Sequence, residues 1–160
     1  MIVEAFIEIP KGSRNKYEVD EKTGGIKLDR VLYSSVYWPV EYGFIKGTKG
    51  EDGDPLDIMI FSSSPTFPGC VVEAEVIGYL EMEDESGVDH KVLAVPTAKI
   101  DPRLGHIKDI GDVPEFWKTE LKEFTEVYKR LEPEKWVKVR DFRSKKEAEE
   151  LVEEARKRYG

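Results

Sequence analysis

The chain has 160 residues, a length typical of one domain that can bury a substantial apolar core. Charged side chains make up 36% of it, and 33 acidic against 25 basic residues give a formal net charge of −8. This balance disfavours a nucleic-acid-binding surface, which is normally basic. The single cysteine, Cys70, excludes a disulfide within the chain and fits a reducing compartment.

The N-terminus has none of the features of a targeting segment. Glu4 and Glu8 interrupt the apolar run that a signal peptide would need, and no later apolar stretch has membrane-spanning length. We therefore expect one domain over residues 1–160, located in the cytoplasm, with neither a membrane nor a nucleic acid as its partner.

The first part of the chain is predicted to form strands. Residues 3–9 alternate between apolar and other side chains with the period of two that is typical of a strand. Residues 15–20 alternate again, and a Thr-Gly-Gly turn joins them to a strand over residues 26–32, which predicts a β-hairpin. Arg30 shares a face with the apolar residues of this last strand. A guanidinium is costly to bury there unless an anion accompanies it.

The middle of the chain alternates between strands and polar breaks. An aromatic segment over residues 33–45 is followed by a short apolar run at 56–61, which predicts a strand buried on both faces. Further strands are predicted near residues 71–79 and 91–95. Between them, residues 81–89 read as an acidic loop that turns at Ser86 and Gly87.

Two helices are predicted in the last third. Asp112 and Glu115 have the spacing of a capping box, and one apolar stripe follows until Pro133 ends the helix; its members are Val113, Trp117, Leu121, Phe124, Tyr128 and Leu131. A short strand is predicted from Trp136, and a second capping box, Ser144 with Glu147, begins a C-terminal amphipathic helix. This order favours an α+β fold, mainly β, with the strands closing on themselves as a barrel and two main helices outside.

The chemistry centres on an acidic stretch, Gly50 to Ile58. Asp52, Asp54 and Asp57 fall within six residues, and their carboxylates would repel unless a cation or a proton sat between them. Hard divalent ions such as Mg²⁺ take oxygen ligands of this kind. A solvated acidic turn is the alternative. An EF-hand loop does not fit, because its sixth and twelfth positions would be Asp57 and Ser63.

Other charged residues extend this pattern. Acidic side chains occur in two more regions, at Glu8 and at Asp84 with Asp89, and isolated cations are spread among them at Lys16, Arg30, Lys91 and Lys129. Metal ions together with Lys and Arg bind phosphate oxygens. There is no Walker A loop, zinc pattern or Gly-x-Ser-x-Gly elbow. From these residues alone, a metal-dependent phosphoryl hydrolase and a metal-stabilised structural module are equally favoured.

The sequence resembles the soluble family I inorganic pyrophosphatases from about Ile7 to Trp136. The matching segments, in chain order, are Ile7-Glu8-Ile9-Pro10, Asn15-Lys16-Tyr17-Glu18, Leu28-Asp29-Arg30, Glu41-Tyr42-Gly43-Phe44, Glu51 to Asp57, Asp89-His90-Lys91-Val92, His106 to Ile110, and Tyr128-Lys129. So many short segments in order form a specific match. The resemblance implies a closed five-stranded barrel of the OB type with helices packed outside.

The resemblance also implies roles for individual residues. Asp52, Asp57 and Asp89 would hold the metal ion that activates water, and Asp54 would accept the proton of that water. Glu8 and Asp84, again with Asp89, would hold the metal ions that arrive with the substrate, and Glu18 would support them. Lys16, Arg30, Tyr42, Tyr128 and Lys129 would contact phosphate oxygens, with Lys91 close by. The implied cofactor is Mg²⁺, as several ions, with Mn²⁺ or Zn²⁺ as substitutes.

The activity implied is hydrolysis of Mg²⁺-pyrophosphate to two orthophosphates. The alternatives are a hydrolase that prefers polyphosphates or nucleotides, and a barrel that binds metal or oligonucleotide without catalysis. The sequence departs from the family at Trp38, where tyrosine is usual, and at Glu41, where Asn or Asp is common. A homo-oligomer, possibly a hexamer, is implied. However, Glu123 and Val127 stand where some bacterial members carry interface histidines, so that contact does not carry over.

Overall fold

The computed structural model describes residues 1–160, and five of its strands close into a barrel. These are β1 (Ile2–Ile9), β4 (Glu41–Ile45), β5 (Asp57–Ile60), β6 (Val71–Asp84) and β8 (Lys91–Pro96). Their order around the barrel is β1-β4-β5-β8-β6, and β6 pairs again with β1. Neighbouring strands are antiparallel except for β5 and β8, which run parallel. The predicted closed five-stranded barrel is confirmed.

The longest strand, β6, does more than close the barrel. Its C-terminal part pairs with the short β7 (Gly87–Val88) and with β9 (Val137–Arg143). The prediction that this strand ends near Tyr79 and that residues 81–89 form a loop is therefore wrong. The strand continues because Leu80 and Met82 are both buried, and because β9 supplies a partner that the local pattern did not reveal.

The predicted hairpin forms a small sheet of its own. It consists of β2 (Asn15–Val19) and β3 (Ile26–Val31), which pair with each other and with no strand of the barrel. The face that Arg30 was predicted to share is less apolar than expected, because Leu28 is 52% exposed. The hairpin stands beside the barrel and brings its charged residues to the site described below.

The two predicted helices are present as α1 (Glu115–Val127) and α2 (Lys145–Tyr159). The capping box of α2 is confirmed, since the Ser144 hydroxyl accepts a hydrogen bond from the backbone N–H of Glu147 at 3.2 Å. The capping box predicted for α1 is wrong. Pro114 precedes that helix, and the Asp112 carboxylate instead accepts from the backbone N–H groups of Lys108 and Asp109.

Buried side chains form two clusters against the sheet. In one of them Leu121 and Phe124 of α1 pack with Trp38 and Leu93. In the other the small α2 residues Ala148, Val152 and Ala155 pack with apolar residues of the barrel, mainly those of β6. Both helices therefore cover the barrel with apolar side chains. The first helix is shorter than predicted, since α1 ends at Val127 and Leu131 of the predicted stripe is 65% exposed. Neither helix is long and apolar enough to cross a membrane.

Candidate active site

A single cavity of about 700 Å³ gathers all the residues that the sequence singled out. The thirteen predicted residues on its wall are Glu8, Lys16, Glu18, Arg30, Tyr42, Asp52, Asp54, Asp57, Asp84, Asp89, Lys91, Tyr128 and Lys129. They come from every barrel strand or its adjoining loop, from the β2–β3 hairpin, and from the turn after α1. Seven carboxylates, four cations and two phenols thus face one solvent-filled space.

The acidic loop between β4 and β5 is shaped by local hydrogen bonds. The Asp52 side chain accepts from the backbone N–H of Asp54 at 3.0 Å, and Gly53 provides the left-handed conformation (φ 90°) that this turn requires. At the neck of the loop, the Thr48 hydroxyl donates to Ile45 O and accepts from the N–H of Leu56. The loop therefore presents two aspartates at its tip, while Asp57 begins β5.

Lys91 lies at the centre of the charged wall. Its Nζ is 2.5 Å from Asp57 Oδ2, 2.9 Å from Asp89 Oδ2 and 2.8 Å from Tyr42 Oη. The parallel pairing of β5 with β8 sets Ile58 opposite Val92, so the preceding residues of both strands meet. Burial alone would lower the pKa of Lys91, but the carboxylates around it, Asp57 above all, hold that pKa well above its ordinary value. Its ammonium group is therefore a fixed positive charge.

Three of the carboxylates have raised pKa values. Burial raises the pKa of Glu8, although a hydrogen bond from the N–H of Val19 opposes the shift. Burial also raises the pKa of Asp89, against the effect of Lys91. For Asp54, desolvation and then the charges of Asp52 and Asp57 raise the pKa. Buried carboxylates that lie close to one another favour the binding of cations, which offset their negative charge.

Metal ligation can be judged from the chemistry of these side chains. No three His, Cys, Asp or Glu side chains lie close enough together to form a complete metal-binding site. The metal-ligand atoms available around the cavity are nevertheless carboxylate and hydroxyl oxygens, since no histidine or cysteine lines it. An all-oxygen, carboxylate-rich set fits Mg²⁺, which binds through one or two carboxylates together with water and substrate phosphate oxygens.

Two predicted phosphate-binding cations each contact at least one acid that was not predicted as a site residue. Lys129 Nζ lies 3.1 Å from Asp84 and 3.1 Å from Glu85. Arg30 Nη1 lies 2.5 Å from Asp29, and Arg30 Nε lies 2.9 Å from Glu132. Glu85 adjoins a predicted ligand in the sequence and could have been suspected. Glu132 follows α1 in a turn, and no local pattern connects it with Arg30.

The two phenols of the cavity rest on an aromatic cluster. The Trp38 ring lies 4.6 Å from the Tyr42 ring and 5.5 Å from the Tyr128 ring, between ring centroids, and it also contacts Phe124. Trp38 is 2% exposed, and its Nε1 has no hydrogen-bond partner. Burial raises the pKa of both tyrosines, so their hydroxyl groups stay protonated and can donate hydrogen bonds.

Glu41, the other unusual residue, lies outside the cavity. It is 1% exposed, and its carboxylate accepts hydrogen bonds from the N–H of Lys11 at 2.5 Å and from the N–H of Thr66 at 3.1 Å, as well as from the Thr66 hydroxyl. These contacts join the turn after β1 to the loop before β6. Glu41 therefore serves the loop structure on the far side of β4 from the charged wall.

Comparison with known proteins identifies the family of the chain. The sequence model of the inorganic pyrophosphatase family matches residues 5–160. The inorganic pyrophosphatase of Streptomyces coelicolor is 50% identical over 99% of this chain and 96% of its own length. The crystal structure of the Thermus thermophilus inorganic pyrophosphatase superposes with a TM-score of 0.95 at 52% identity, covering 99% of this chain and 91% of that one. The Helicobacter pylori enzyme gives a TM-score of 0.96 at 45% identity, with coverage of 99% and 93%.

The barrel with its carboxylate-lined cavity defines a phosphoryl hydrolase. The chain belongs to the inorganic pyrophosphatase family. Hydrolysis of pyrophosphate is thereby confirmed over the two alternatives, a polyphosphate or nucleotide hydrolase and a non-catalytic barrel.

Proposed function

We propose that this cavity is the place where pyrophosphate, carried as its Mg²⁺ complex, is cleaved into two orthophosphates. The observation that carries the proposal is that the seven predicted carboxylates and the four predicted cations line one cavity. The carboxylates provide oxygen ligands for divalent ions, and the cations match the oxygens of a highly anionic substrate.

The proposed ligands are the acidic residues already described. Asp52, Asp57 and Asp89 would hold one ion, and Glu8 and Asp84, with Asp89, would hold those that accompany the substrate; Glu18 would support this set. Divalent ions bound there would supply a water molecule of lowered pKa and would neutralise phosphate charge. Mn²⁺ and Zn²⁺ are proposed substitutes for Mg²⁺.

The chain's own groups then have separate tasks. Asp54 is the proposed proton acceptor: it lies on the exposed loop, touches no cation, and has a raised pKa, which suits a base that must take up a proton. Tyr42 and Tyr128 donate hydrogen bonds to phosphate oxygens through hydroxyl groups that remain protonated. Lys91, with Lys16, Arg30 and Lys129, opposes the negative charge that develops on the leaving phosphate.

The test is phosphate release from pyrophosphate, ATP and tripolyphosphate with Mg²⁺, repeated with EDTA. We expect pyrophosphate to be cleaved far faster than ATP, because the chain has no nucleotide-binding loop. EDTA should abolish the activity. Equal rates on all three substrates, or activity that survives EDTA, would contradict the proposal. A homo-oligomeric state and a cytoplasmic location stay predictions.

A further inference from the structure

Glu132 is a buried acid that lies next to the cavity without forming part of its wall. It is 6% exposed and sits in the turn after α1, where its backbone N–H donates to Lys129 O at 3.0 Å. This turn also carries Tyr128, so Glu132 shares a short rigid segment with two residues of the cavity. A buried carboxylate is costly unless a cation accompanies it. The contacts of Glu132 therefore need an explanation.

The main contact of Glu132 is with Arg30. Its Oε1 lies 2.9 Å from Arg30 Nε, while Lys135 Nζ is farther away at 3.7 Å. The contact is an ion pair and not an aligned hydrogen bond, because Arg30 Nε has no hydrogen-bond partner. The second carboxylate oxygen, Glu132 Oε2, has none either. On its other edge, the guanidinium donates through Nη1 to Asp29 at 2.5 Å. Arg30 is thus held by two acids, and Nη2 belongs to neither contact.

The ion pair crosses between two parts of the fold. Arg30 lies on β3, which pairs only with β2 and has no strand partner in the barrel. Glu132 lies in the turn that follows the helix packed on the barrel. Fixing Arg30 to this turn also fixes the hairpin, whose Lys16 faces the same cavity, relative to Tyr128 and Lys129. Arginine binds phosphate through a planar fork, so its orientation decides how well it can contact an oxyanion.

We propose that Glu132 is a positioning residue that orients the Arg30 guanidinium toward a phosphate oxygen in the cavity and sets the spacing between the hairpin and the turn after α1. The inference deepens the proposed function and rests on it. Glu132 acts through Arg30, and it touches neither substrate nor metal ion. A small displacement of a group that positions the substrate can lower the rate of catalysis strongly, so the orientation of Arg30 should matter for activity.

The experiment is a double-mutant cycle on steady-state hydrolysis of Mg²⁺-pyrophosphate. Glu132→Gln keeps the size of the side chain and removes its charge; Arg30→Gln removes the group through which it acts. We expect Glu132→Gln to raise KM on the order of tenfold, with a smaller effect on kcat, and to have no further effect in the Arg30→Gln background. Glu123→Gln, on an exposed position of α1, is the matched charge control and should leave both constants unchanged.

Thermal unfolding and a second variant complete the design. Glu132→Asp keeps the charge and withdraws the carboxylate from Arg30, so a folded Glu132→Asp variant should also show a raised KM. An unchanged KM in folded Glu132→Gln or Glu132→Asp overturns the inference. So does a Glu132→Gln effect of equal size in both backgrounds, which would mark a merely structural role. If the wild-type chain does not cleave pyrophosphate, the proposed function fails first and the inference falls with it.

Discussion

Asp54 and Asp57 are three residues apart, yet their surroundings differ sharply. Asp54 is exposed at the tip of the acidic loop and contacts no cation. Asp57 begins β5, and one of its oxygens is 2.5 Å from Lys91 Nζ. A carboxylate that contacts no cation is suited to accept a proton, whereas one fixed on a strand beside a second carboxylate is suited to hold a metal ion.

Substitution to asparagine should separate these two roles. Asp54→Asn should leave metal affinity nearly intact while turnover falls by roughly 10²- to 10⁴-fold, the usual contribution of a positioned general base. Asp57→Asn should weaken both metal binding and turnover. Calorimetric binding of Mn²⁺ or Mg²⁺, measured beside steady-state turnover, distinguishes the two variants. If Asp54→Asn loses the metal and Asp57→Asn retains it, the assigned roles are reversed.

Trp38 is the residue through which the aromatic cluster supports Tyr42 and Tyr128. Tyrosine at this position keeps a ring between them but fills less volume. Trp38→Tyr should therefore leave turnover within a few-fold and change the free energy of unfolding by about 1–2 kcal/mol. Trp38→Ala is the control that removes the ring, and we expect it to cost about 3–5 kcal/mol. A change in turnover above tenfold for Trp38→Tyr, with the fold intact, would mean that the indole itself acts on the reacting groups.

At the scale of elements, the C-terminal end of α2 contacts the start of the acidic loop. The N–H of Lys49 donates to Ala155 O at 2.9 Å, and Arg158 Nη1 donates to Lys49 O at 3.3 Å. Arg158 Nη2 is also 3.6 Å from Glu51. The C-terminal turn of the helix therefore contacts the loop just before the aspartates, although none of its residues reaches the main cavity.

Removing the arginine of this contact should loosen the loop. We expect Arg158→Ala to weaken Mn²⁺ binding by about two- to fivefold, and to lower the free energy of unfolding by less than about 1 kcal/mol, because the side chain is partly exposed. Arg156→Ala is the matched control: Arg156 pairs with Glu153 on the same helix and does not touch the loop. Calorimetry on both variants provides the comparison, and equal metal affinities would show that the loop does not depend on α2.

The elements also show what the sequence could and could not reveal. The hairpin and the start of α2 were predictable because turn and capping residues act within a few positions of one another. The start of α1 was mispredicted because Asp112 found nearer N–H groups at Lys108 and Asp109. The length of β6 depended on β9, a partner distant in the chain. In the same way, the thirteen predicted cavity residues were identified from their charges and from the family resemblance, whereas no local pattern connects Glu132 with Arg30.

For the molecule as a whole, pyrophosphate hydrolysis should depend on which divalent ion is bound in the cavity. Ca²⁺ should bind to the same carboxylates but inhibit, because it is larger, is less strict in its geometry, and acidifies water less than Mg²⁺. The measurement is pyrophosphate hydrolysis at fixed Mg²⁺ with increasing Ca²⁺, and with Ca²⁺ alone. Full activity in Ca²⁺ alone would contradict the proposal that the carboxylates form a site with the strict geometry that Mg²⁺ requires.

The strand β6 has a consequence for how the protein is made. It pairs with β1, which is synthesised before the other barrel strands, and with β9, which is synthesised only after α1. β1 can therefore pair with β6 only after the residues between them have been synthesised. The barrel stays open until Pro96, at the end of β8, has left the ribosome. Pairings between distant parts of a chain form slowly and leave strand edges exposed meanwhile. In a nascent chain halted before β8, the acidic loop would lie on an open sheet with unpaired strand edges. We expect chaperones to bind such a chain before it can form the active site.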